Sequence, residues 1–329
     1  MNRIFLTEEA HHIASVYPKE TMERLSLSPT VYKKSDVLAN PEKFKNVEYI
    51  FSTWGMPAFT KEEVNAYLPA LKCIFYAAGT VRFFAKGFLE AGVKVFSAWA
   101  ANGIPVAEYT VAQIVLASKG FFPTSRIYKN GNYSKARALY ETFPGNYNTK
   151  IGIIGAGMIG KYVIKMLKNY KVQVLVFDPF LPEQKAEELG VKKCSLEELF
   201  KTCFVVSNHL ADNEQTRGML TGELFASMPQ NATFINTGRG AQVKESELIK
   251  VLKNRPDLTA ILDVTYPEPI PLESEFYALE NCIFTPHIAG SYGNELARMS
   301  EFIAEEYFRF EKGENCLFEV TLEMMKTMA

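Results

Sequence analysis

The chain has 329 residues with 36 basic and 37 acidic side chains, which give a formal net charge of −1. This length allows two domains with buried cores, and the balanced charge argues against the basic surface of proteins that bind nucleic acid or anionic membranes. Five scattered cysteines without a C-x-x-C pair predict reduced packing residues and no metal centre, and the lack of a membrane-spanning run or signal-peptide pattern predicts a soluble, cytoplasmic protein.

Residues 1 to about 104 alternate short β-rich runs with helical or loop segments, which is typical of an α/β domain. The runs lie at residues 3–6, 48–51, 72–76 and 93–96, and apolar residues at helical spacing predict a helix within residues 57–72. His11 and His12 lie in a polar, helical stretch. We expect both on the solvated surface, because no nearby residue is expected to complete a binding site with them.

The middle of the chain is predicted to contain one helix and one loop. Pro105 is expected to open a long apolar helix that ends near Gly120 and packs either between domains or against a second subunit. Residues 130–148 contain Gly131, Pro144 and Gly145, and this composition predicts an ordered connecting loop.

Residues 150–178 predict a βαβ unit that binds a dinucleotide. An isoleucine-rich strand is followed by three glycines, then by apolar residues at helical spacing and a second β-rich run. Gly155 allows a tight turn, Gly157 allows a pyrophosphate to approach the backbone, and Gly160 allows close packing of helix and strand. The phosphates would lie at the helix N-terminus, where unpaired N–H groups and the helix dipole favour an anion.

Asp178 ends the second strand of this unit, 18 residues after Gly160. This is near the spacing at which a carboxylate accepts hydrogen bonds from the adenosine ribose. The same carboxylate repels a 2′-phosphate, and Pro179 and Phe180 bring no arginine to bind one. The pattern therefore favours NAD over NADP.

Strands and helices continue to alternate in the second half. Ser195 is expected to cap a helix in a capping box with Glu198. Strands are predicted at residues 204–207, 233–236, 258–263 and 282–284, and helices at residues 183–189, 196–203, 245–253 and 294–312. The predicted fold class is α/β, with a doubly wound parallel sheet around the glycine motif and another α/β unit before it. The last helix is expected to return to that first unit.

Three polar residues each follow a predicted strand of the second half: Arg239, Glu268 and His287. In an open parallel sheet, ligands bind beyond the carboxyl ends of the strands, so the three side chains can converge on a bound nicotinamide. Taken singly, each has a plainer interpretation, namely a surface ion pair for Arg239, solvent exposure for Glu268 and helix capping for His287. Their combination with the upstream glycine motif favours the catalytic interpretation.

This set of residues suits the reduction of a carbonyl group. Addition of a hydride to a keto carbon leaves negative charge on oxygen, which requires a cationic or protonated donor there. His287 would donate the proton, and Glu268 beside it would favour the imidazolium form and orient the ring. Arg239 would bind a carboxylate and an adjacent oxygen with its planar fork, which lysine does not reproduce.

These motifs resemble those of the D-isomer-specific 2-hydroxyacid dehydrogenase family, which includes glyoxylate/hydroxypyruvate reductases, D-lactate dehydrogenases and phosphoglycerate dehydrogenases. The matching segments are IGIIGAGMIG, SNHLADNEQTRGM, INTGRG, LDVTYPEP and TPHIAG, and the resemblance covers residues from about 70 to 310. It implies catalysis by Arg239, Glu268 and His287. It also implies NAD contacts from the glycine turn and four further residues: Gly155, Ala156, Gly157, Met158, Ile159, Gly160, Asp178, His209, Thr237 and Asp263. His209 also has a plainer interpretation as a packing residue at a strand end.

The resemblance further implies a discontinuous arrangement of two domains. Residues 1–104 and 295–329 would form a flavodoxin-like substrate domain, and residues 105–294 would form an inserted Rossmann domain that binds NAD. Since such proteins are usually homodimers, the helix after Pro105 would contact both the other domain and a second subunit.

The substrate loop departs from the family pattern. AAGTVRFF stands where a small-Gly-Val-Gly sequence is usual, so Gly79, Thr80 and Val81 are expected to donate backbone hydrogen bonds to a substrate carboxylate. Arg82 either binds a second anionic group or faces solvent. Trp54 either closes a wall of the substrate pocket or packs in the core. The roles of Arg82, Trp54 and Trp99 are left open by the sequence.

The expected function is that of an NAD(H)-dependent oxidoreductase that interconverts a small 2-keto acid and its D-2-hydroxy acid. The alternative is an NAD-sensing regulatory or binding protein of the same fold with little turnover, because corepressors of this family retain the three catalytic residues. A homodimer is expected, and neither nucleic acid nor a membrane is expected as a partner.

Overall fold

The computed structural model describes residues 2–326. The strands within this range are β1 Arg3–Leu6, β2 Val31–Tyr32, β3 Tyr49–Ser52, β4 Cys73–Tyr76, β5 Lys94–Ser97, β6 Tyr147–Ile154, β7 Lys171–Phe177, β8 Lys192–Lys193, β9 Val205–Asn208, β10 Thr233–Asn236, β11 Thr259–Leu262, β12 Cys282–Phe284 and β13 Glu319–Val320.

The helices are α1 His11–Val16, α2 Lys19–Arg24, α3 Lys34–Ala39, α4 Pro41–Phe44, α5 Lys61–Tyr67, α6 Ala85–Glu90, α7 Trp99–Ser118, α8 Phe121–Lys129, α9 Tyr133–Tyr140, α10 Met158–Leu167, α11 Glu183–Leu189, α12 Leu196–Thr202, α13 Gly222–Ala226, α14 Glu245–Asn254 and α15 Leu296–Glu311. Short 3-10 turns lie at Gly240–Gln242, Glu275–Ala278, Gly293–Glu295 and Met324–Lys326. Across residues 2–326, none of these helices combines the length and apolarity needed to span a bilayer.

The chain folds into two compact units. Unit 1 contains the residues up to Asn102 and those from Ser291 onward, and unit 2 contains the residues from Gly103 to Gly290. The assignment of substrate binding to residues 1–104 and 295–329 stays a prediction.

Unit 2 contains a seven-stranded sheet in the order β12-β11-β10-β9-β6-β7-β8, and every pair of neighbours is parallel. The chain begins in the middle at β6, moves outward to β8, and then returns to build β9 to β12 on the other side. This is the doubly wound order of a nucleotide-binding fold, whose ligands bind where the strand order reverses. The reversal lies between β6 and β9.

Unit 1 contains a six-stranded sheet in the order β13-β5-β4-β3-β1-β2. The five strands from the first part of the chain are parallel in a flavodoxin-like order, and β13 adds an antiparallel edge. The expectation that the last helix returns to this unit is met by α15, whereas the edge strand β13 was not predicted. The predicted α/β fold class, with a Rossmann unit inserted into a flavodoxin-like unit, is confirmed.

Both sheets have cores on both faces, because alternate strand residues point to opposite sides. In β10, Phe234 packs into one cluster of unit 2 while Ile235 packs into the other. In unit 1, Phe51, Phe75 and Phe96 stack in sequence across β3, β4 and β5, with neighbouring ring centroids 5.2 and 5.1 Å apart. These buried layers fix the strands whose ends carry the polar residues.

Two predicted elements are wrong. Helix α7 begins at Trp99, so Pro105 lies inside it instead of opening it. Residues 130–148 are not a loop throughout, because they contain helix α9 and the start of β6. The Asn132 side chain caps α9 by accepting a hydrogen bond from the Lys135 N–H (3.0 Å). Ser195 caps α12 by accepting from the Glu198 N–H as predicted (3.0 Å), but the Glu198 side chain accepts from Lys192 (3.2 Å) and does not close the predicted capping box.

Candidate active site

Arg239, Glu268 and His287 follow three adjacent strands of unit 2. Arg239 comes after β10, Glu268 after β11 and His287 after β12, and these strands are neighbours in a parallel sheet. Their carboxyl ends therefore lie at one edge of the sheet, which is the edge where such folds bind ligands. The glycine turn after β6 lies at the same edge.

His287 and Glu268 are in direct contact. The Nδ1 atom of His287 lies 2.8 Å from Oε1 of Glu268, and the two side chains are 48% and 42% exposed. This pairing fixes the orientation of the ring and leaves Nε2 for a ligand. The half-exposed position means that a molecule from solvent can reach the imidazole.

Asp263 holds the turn that carries His287. The His287 backbone is left-handed, with φ of 55°, which is uncommon for a residue other than glycine. Oδ1 of the Asp263 carboxylate accepts hydrogen bonds from Thr285 Oγ1 (2.6 Å) and the Ile288 N–H (2.8 Å), while Oδ2 accepts one from the Ala289 N–H (3.0 Å). Asp263 is almost fully buried, so these three bonds bind the turn to the end of β11.

Three fully buried amide side chains hold the turn that carries Arg239: Asn208, Asn236 and Gln242. Gln242 Oε1 accepts hydrogen bonds from the Arg239 N–H (3.1 Å) and from Asn208 Nδ2 (2.5 Å), while Asn236 Oδ1 accepts one from the Gly238 N–H (3.1 Å). The guanidinium group of Arg239, which is partly exposed, donates to the Gly238 carbonyl through Nη1 (2.7 Å). These hydrogen bonds fix the Arg239 backbone to the ends of β9 and β10.

The loops of Arg239 and Glu268 touch at Gly240. A Cβ atom placed on Gly240 would lie 2.0 Å from the carbonyl carbon of Thr265, so only glycine fits there. Thr265 in turn donates from Oγ1 to the Pro267 carbonyl (3.1 Å), just before Glu268. The position of one candidate loop therefore depends directly on the other.

His209 and Thr237 lie side by side and are buried. Nε2 of His209 is 3.0 Å from Ser207 Oγ, and Nδ1 is 3.4 Å from Thr237 Oγ1, which also lies 3.2 Å from Thr110 Oγ1. Burial lowers the pKa of His209 to about 3, so its ring is neutral at physiological pH. His209 therefore offers a neutral hydrogen-bonding group beside the glycine turn, where its carbonyl oxygen packs against Gly155.

The glycine turn fits a dinucleotide pyrophosphate. Gly155 has φ of 87°, and a Cβ atom on Gly160 would lie 2.0 Å from the Gly155 oxygen, so both positions require glycine. In contrast, a Cβ atom on Gly157 would meet no atom within 4 Å, which leaves open space above the N-terminus of α10. Met158 is exposed and Ile159 partly buried at the same helix start.

Asp178 lies next to this turn. Its Oδ2 atom accepts a hydrogen bond from the Ala156 N–H (2.7 Å), and Oδ1 accepts one from the Phe180 N–H (2.8 Å). The carboxylate is only partly buried, so it retains lone pairs that face outward. A carboxylate beside the open glycine turn can accept hydrogen bonds from the hydroxyl groups of an adenosine ribose.

In unit 1, the predicted substrate loop follows β4. Within residues 2–326, the N–H groups of Gly79, Thr80 and Val81 donate to no protein acceptor, although the Gly79 carbonyl accepts from Ser97 Oγ (2.5 Å). Val81 is buried and anchors the loop in the core. Arg82 is exposed and lines a cavity of about 330 Å³ that includes Phe83 and Lys86.

The two tryptophans of unit 1 are partly buried. Trp54 packs against both cores of this unit, and its ring centroid lies 5.4 Å from that of His12. Trp99 packs edge-on against Phe318, with ring centroids 5.8 Å apart. All five cysteines are free thiols.

Sequence reasoning missed the residues that support the site. The amide cluster of Asn208, Asn236 and Gln242 gives no periodic signal, because its members lie at the ends of two different strands and in a 3-10 turn. Glu245, which begins α14, accepts a hydrogen bond from the Tyr266 N–H (2.7 Å) at the start of the Glu268 loop. Burial raises the pKa of Glu245 to about 7 despite this bond, which by itself lowers it.

The chain is similar to known proteins of one family. A sequence model described as the NAD binding domain of D-isomer specific 2-hydroxyacid dehydrogenase matches residues 111–289. The glyoxylate reductase of Korarchaeum cryptofilum is 30% identical over 254 residues, which cover 77% of this chain and 76% of that protein. The D-3-phosphoglycerate dehydrogenase of Archaeoglobus fulgidus is 29% identical over 224 residues, or 68% of this chain. This alignment covers only 42% of the Archaeoglobus fulgidus protein.

Solved structures share the fold over nearly the whole chain. A phosphoglycerate oxidoreductase from Rhizobium etli superimposes with a TM-score of 0.79 at 21% identity and covers 97% of both chains. D-2-hydroxyisocaproate dehydrogenase gives a TM-score of 0.76 at 23% identity and covers 98% of this chain and 100% of its own. At these identities the likeness shows the fold alone.

Proposed function

Because the chain belongs to the D-isomer specific 2-hydroxyacid dehydrogenase family, we propose that it interconverts a small 2-keto acid and its D-2-hydroxy acid with NAD(H) as cofactor. The match to the NAD binding domain of the family confirms the predicted cofactor. The observation that carries the proposed reaction is the contact of His287 with Glu268 at 2.8 Å, at the sheet edge that also carries the glycine turn.

His287 is assigned as the proton donor in keto-acid reduction. NADH supplies the hydride that reaches the keto carbon. With Nδ1 of His287 held by Glu268, the protonated ring donates from Nε2 to the carbonyl oxygen as negative charge develops on it. In the reverse direction, neutral Nε2 accepts the hydroxyl proton. Glu268 stabilises the imidazolium charge in both directions and does not itself exchange the proton.

Arg239 is assigned to the binding of the substrate carboxylate and carbonyl oxygen. Its guanidinium carries a permanent charge and several donors in a fixed plane, which match two oxygens at once. The buried amides under its backbone hold the turn through two hydrogen bonds. Arg239 therefore supplies both charge and orientation.

In unit 1, the N–H groups of Gly79, Thr80 and Val81 are assigned to the keto-acid carboxylate. They have no protein acceptor among the described residues, and consecutive N–H groups of this kind favour an anion. We assign Asp178 to the adenosine ribose, the turn from Gly155 to Gly160 to the pyrophosphate, and His209, Thr237 and Asp263 to the nicotinamide side. The Asp178 carboxylate would repel a 2′-phosphate, which favours NAD over NADP.

The homodimer is also a proposal. Neighbouring helices α8 and α9 expose the rings of Phe121, Tyr128 and Tyr133, and apolar surface of this kind favours association. A mass measurement in solution that yields twice 37.1 kDa supports the dimer, and a mass of one chain refutes it.

The proposed reaction is tested by following NADH absorbance with glyoxylate, hydroxypyruvate, pyruvate and bulkier 2-keto acids. We expect turnover with at least one acid, and the His287→Gln variant should lower kcat by at least about 100-fold while NADH still binds. If His287 and Glu268 act as a unit, Glu268→Gln added to His287→Gln should cost little more. Glu280→Gln, an exposed glutamate of the same unit, is the matched control and should leave kcat unchanged.

The same assay distinguishes an enzyme from an NAD sensor. Tight NADH binding without turnover of any tested acid would favour the sensing protein. Full turnover in the His287→Gln variant would instead remove this residue from the mechanism, whatever the substrate.

A further inference from the structure

Three potential metal ligands lie together in unit 1, outside the site described above. Glu9, His11 and His12 follow β1, and one ligand atom from each lies within 4.8 Å of the other two. We propose that these side chains bind a divalent transition-metal ion such as Zn²⁺ or Ni²⁺. The sequence offered no third ligand beside the two histidines, whereas the fold brings the Glu9 carboxylate next to both imidazoles.

The distances are close to those of a real coordination sphere. Nε2 of His12 already lies 3.0 Å from Oε2 of Glu9, and the two imidazole ring centroids are 4.0 Å apart. Bonds of about 2.0–2.2 Å to a tetrahedral ion place its ligand atoms roughly 3.4 Å from one another. The ligand atoms lie within 4.8 Å of one another, so the largest remaining closure is about 1.4 Å, which the rotation of partly exposed side chains can supply.

Glu9 is held in place by the neighbouring loop. A Cβ atom on Gly55 would lie 2.8 Å from Cβ and 2.9 Å from Cγ of Glu9, so the Glu9 stem packs directly on the glycine backbone. Thr7 Oγ1 donates to the Trp54 carbonyl (2.7 Å) and accepts from the Glu9 N–H (3.0 Å). The Glu8 N–H donates to the Gly55 carbonyl (2.8 Å). These contacts hold Glu9 in place before an ion binds, which lowers the entropy cost of binding.

His12 is oriented by Glu9 on one side and by the ring of Trp54 on the other, at a centroid distance of 5.4 Å. Ion binding replaces the hydrogen bond between His12 and Glu9, because the metal takes the lone pairs that the shared proton occupied.

The donor set selects the class of ion. Two imidazole nitrogens and one carboxylate suit Zn²⁺, Ni²⁺ and Cu²⁺, whereas Mg²⁺ and Ca²⁺ prefer oxygen ligands alone. Since the chain supplies three ligands and the side chains are partly exposed, water or a ligand anion can take the fourth position. The proposal does not depend on the catalytic function.

The test uses Trp54 as the reporter in untagged protein. The chain has two tryptophans, so Trp99→Phe leaves Trp54, next to His12, as the single source of tryptophan fluorescence. Titration with Ni²⁺ should give saturable quenching at one ion per chain, reversed by EDTA. His11→Gln or His12→Gln should weaken binding by at least about tenfold, and Glu9→Gln should also weaken it.

Calorimetric titration with Zn²⁺ provides the same measurement without the Trp99 substitution. Glu20→Gln, an exposed glutamate on α2, should bind like wild type, and His287→Gln should retain the one-ion stoichiometry. Binding that survives in the His11→Gln/His12→Gln double variant overturns the proposal, as does binding lost only in His287→Gln. Absence of saturable binding in the wild-type protein also overturns it.

Discussion

The main-chain N–H of His287 donates a hydrogen bond to the main-chain oxygen of Asp263 (3.1 Å), and the Asp263 carboxylate accepts three more bonds from the surrounding turn. The left-handed backbone of His287 therefore persists because one buried carboxylate binds the chain on both sides of it. Asp263 is a positioning residue for the imidazole, in addition to its proposed place near the nicotinamide.

The first prediction concerns Asp263→Asn. The amide keeps the size of the carboxylate but presents an N–H group to at least one backbone donor, so the His287 turn loses a hydrogen bond. We expect unfolding free energy to fall by about 1–3 kcal/mol. We expect kcat of the folded enzyme to fall by about tenfold or more, because displacement of a catalytic group is costly. Urea titration and NADH oxidation measure the two effects.

Asp257→Asn is the matched control for this prediction. Asp257 is a partly buried carboxylate, which accepts from Arg255 and from the Asn231 N–H (3.2 Å), but it supports no candidate catalytic turn. It should lower stability without lowering kcat. Equal kcat losses in both variants would show that Asp263 acts through stability alone.

The second prediction is that Arg239→Lys raises the KM for the keto acid and lowers kcat. Lysine keeps the charge but loses the planar fork, so one of the two oxygen contacts disappears. A loss of about 1.5–3 kcal/mol per charged hydrogen bond predicts a decrease of kcat/KM by about 10- to 100-fold. Binding of NADH should be unchanged.

Arg137→Lys is the control, since Arg137 is an exposed arginine of the same unit. It should leave both kinetic constants at wild-type values. The assignment of Arg239 fails if its lysine variant changes only the stability of the protein.

The third prediction separates two glycines of the same turn. Ala at position 157 introduces a Cβ into open space, so stability should change by less than about 1 kcal/mol. The added Cβ would also lie where the pyrophosphate approaches the backbone. A clash that costs about 1.4 kcal/mol or more of binding free energy would weaken NADH binding at least about tenfold. Calorimetric titration with NADH measures the affinity.

Gly160→Ala, in contrast, should mainly lower the stability of the fold. Its Cβ would lie 2.0 Å from the Gly155 oxygen, so helix α10 must move and stability should fall by about 1–3 kcal/mol. If Gly157→Ala binds NADH like wild type, the pyrophosphate does not lie over this turn.

The sequence predicted the strand ends of this fold well. Runs rich in isoleucine, valine and phenylalanine identify buried parallel strands, and the polar residue after each strand falls at the ligand edge by topology alone. Arg239, Glu268 and His287 were therefore predictable as a group. Their contact distances depend on side-chain packing, which periodicity does not encode.

Helix α7 shows why other predictions were wrong. Residues 99–104 include Asn102 and Gly103, which are poor helix formers. The sequence therefore favours Pro105 as the first residue of the helix. In the fold, Ala100 and Ala101 are fully buried and Gly103 would place a Cβ 3.4 Å from Ile159. Burial of these small residues thus outweighs local propensity. Helix α9 was missed because the flanking glycines and proline masked the cap at Asn132.

The last prediction concerns the pH dependence of stability through Glu245. Burial raises the pKa of this carboxyl from 4.5 to about 7, so between these values the folded chain binds a proton that the unfolded chain has released. The stability that it contributes is fully present below pH 4.5 and is lost as pH rises through about 7. Because Glu245 is only partly buried, we expect a loss of about 1–2 kcal/mol after allowance for solvent screening. Glu245→Gln, which mimics the protonated form, should remove this loss.

The measurement must compare wild type with the variant at each pH. Burial lowers the pKa of His209 from 6.5 to about 3, so its contribution is lost as pH falls through that window, which opposes the effect of Glu245. The difference in unfolding free energy between Glu245→Gln and wild type cancels the His209 contribution and should grow from pH 5 to pH 7.5. Glu247→Gln provides the control, because the Gly222 N–H lowers the pKa of that exposed carboxyl below 4.5, so its difference from wild type should stay constant from pH 5 to pH 7.5. A difference for Glu245→Gln that stays constant with pH would show that Glu245 ionises alike in the folded and unfolded chain.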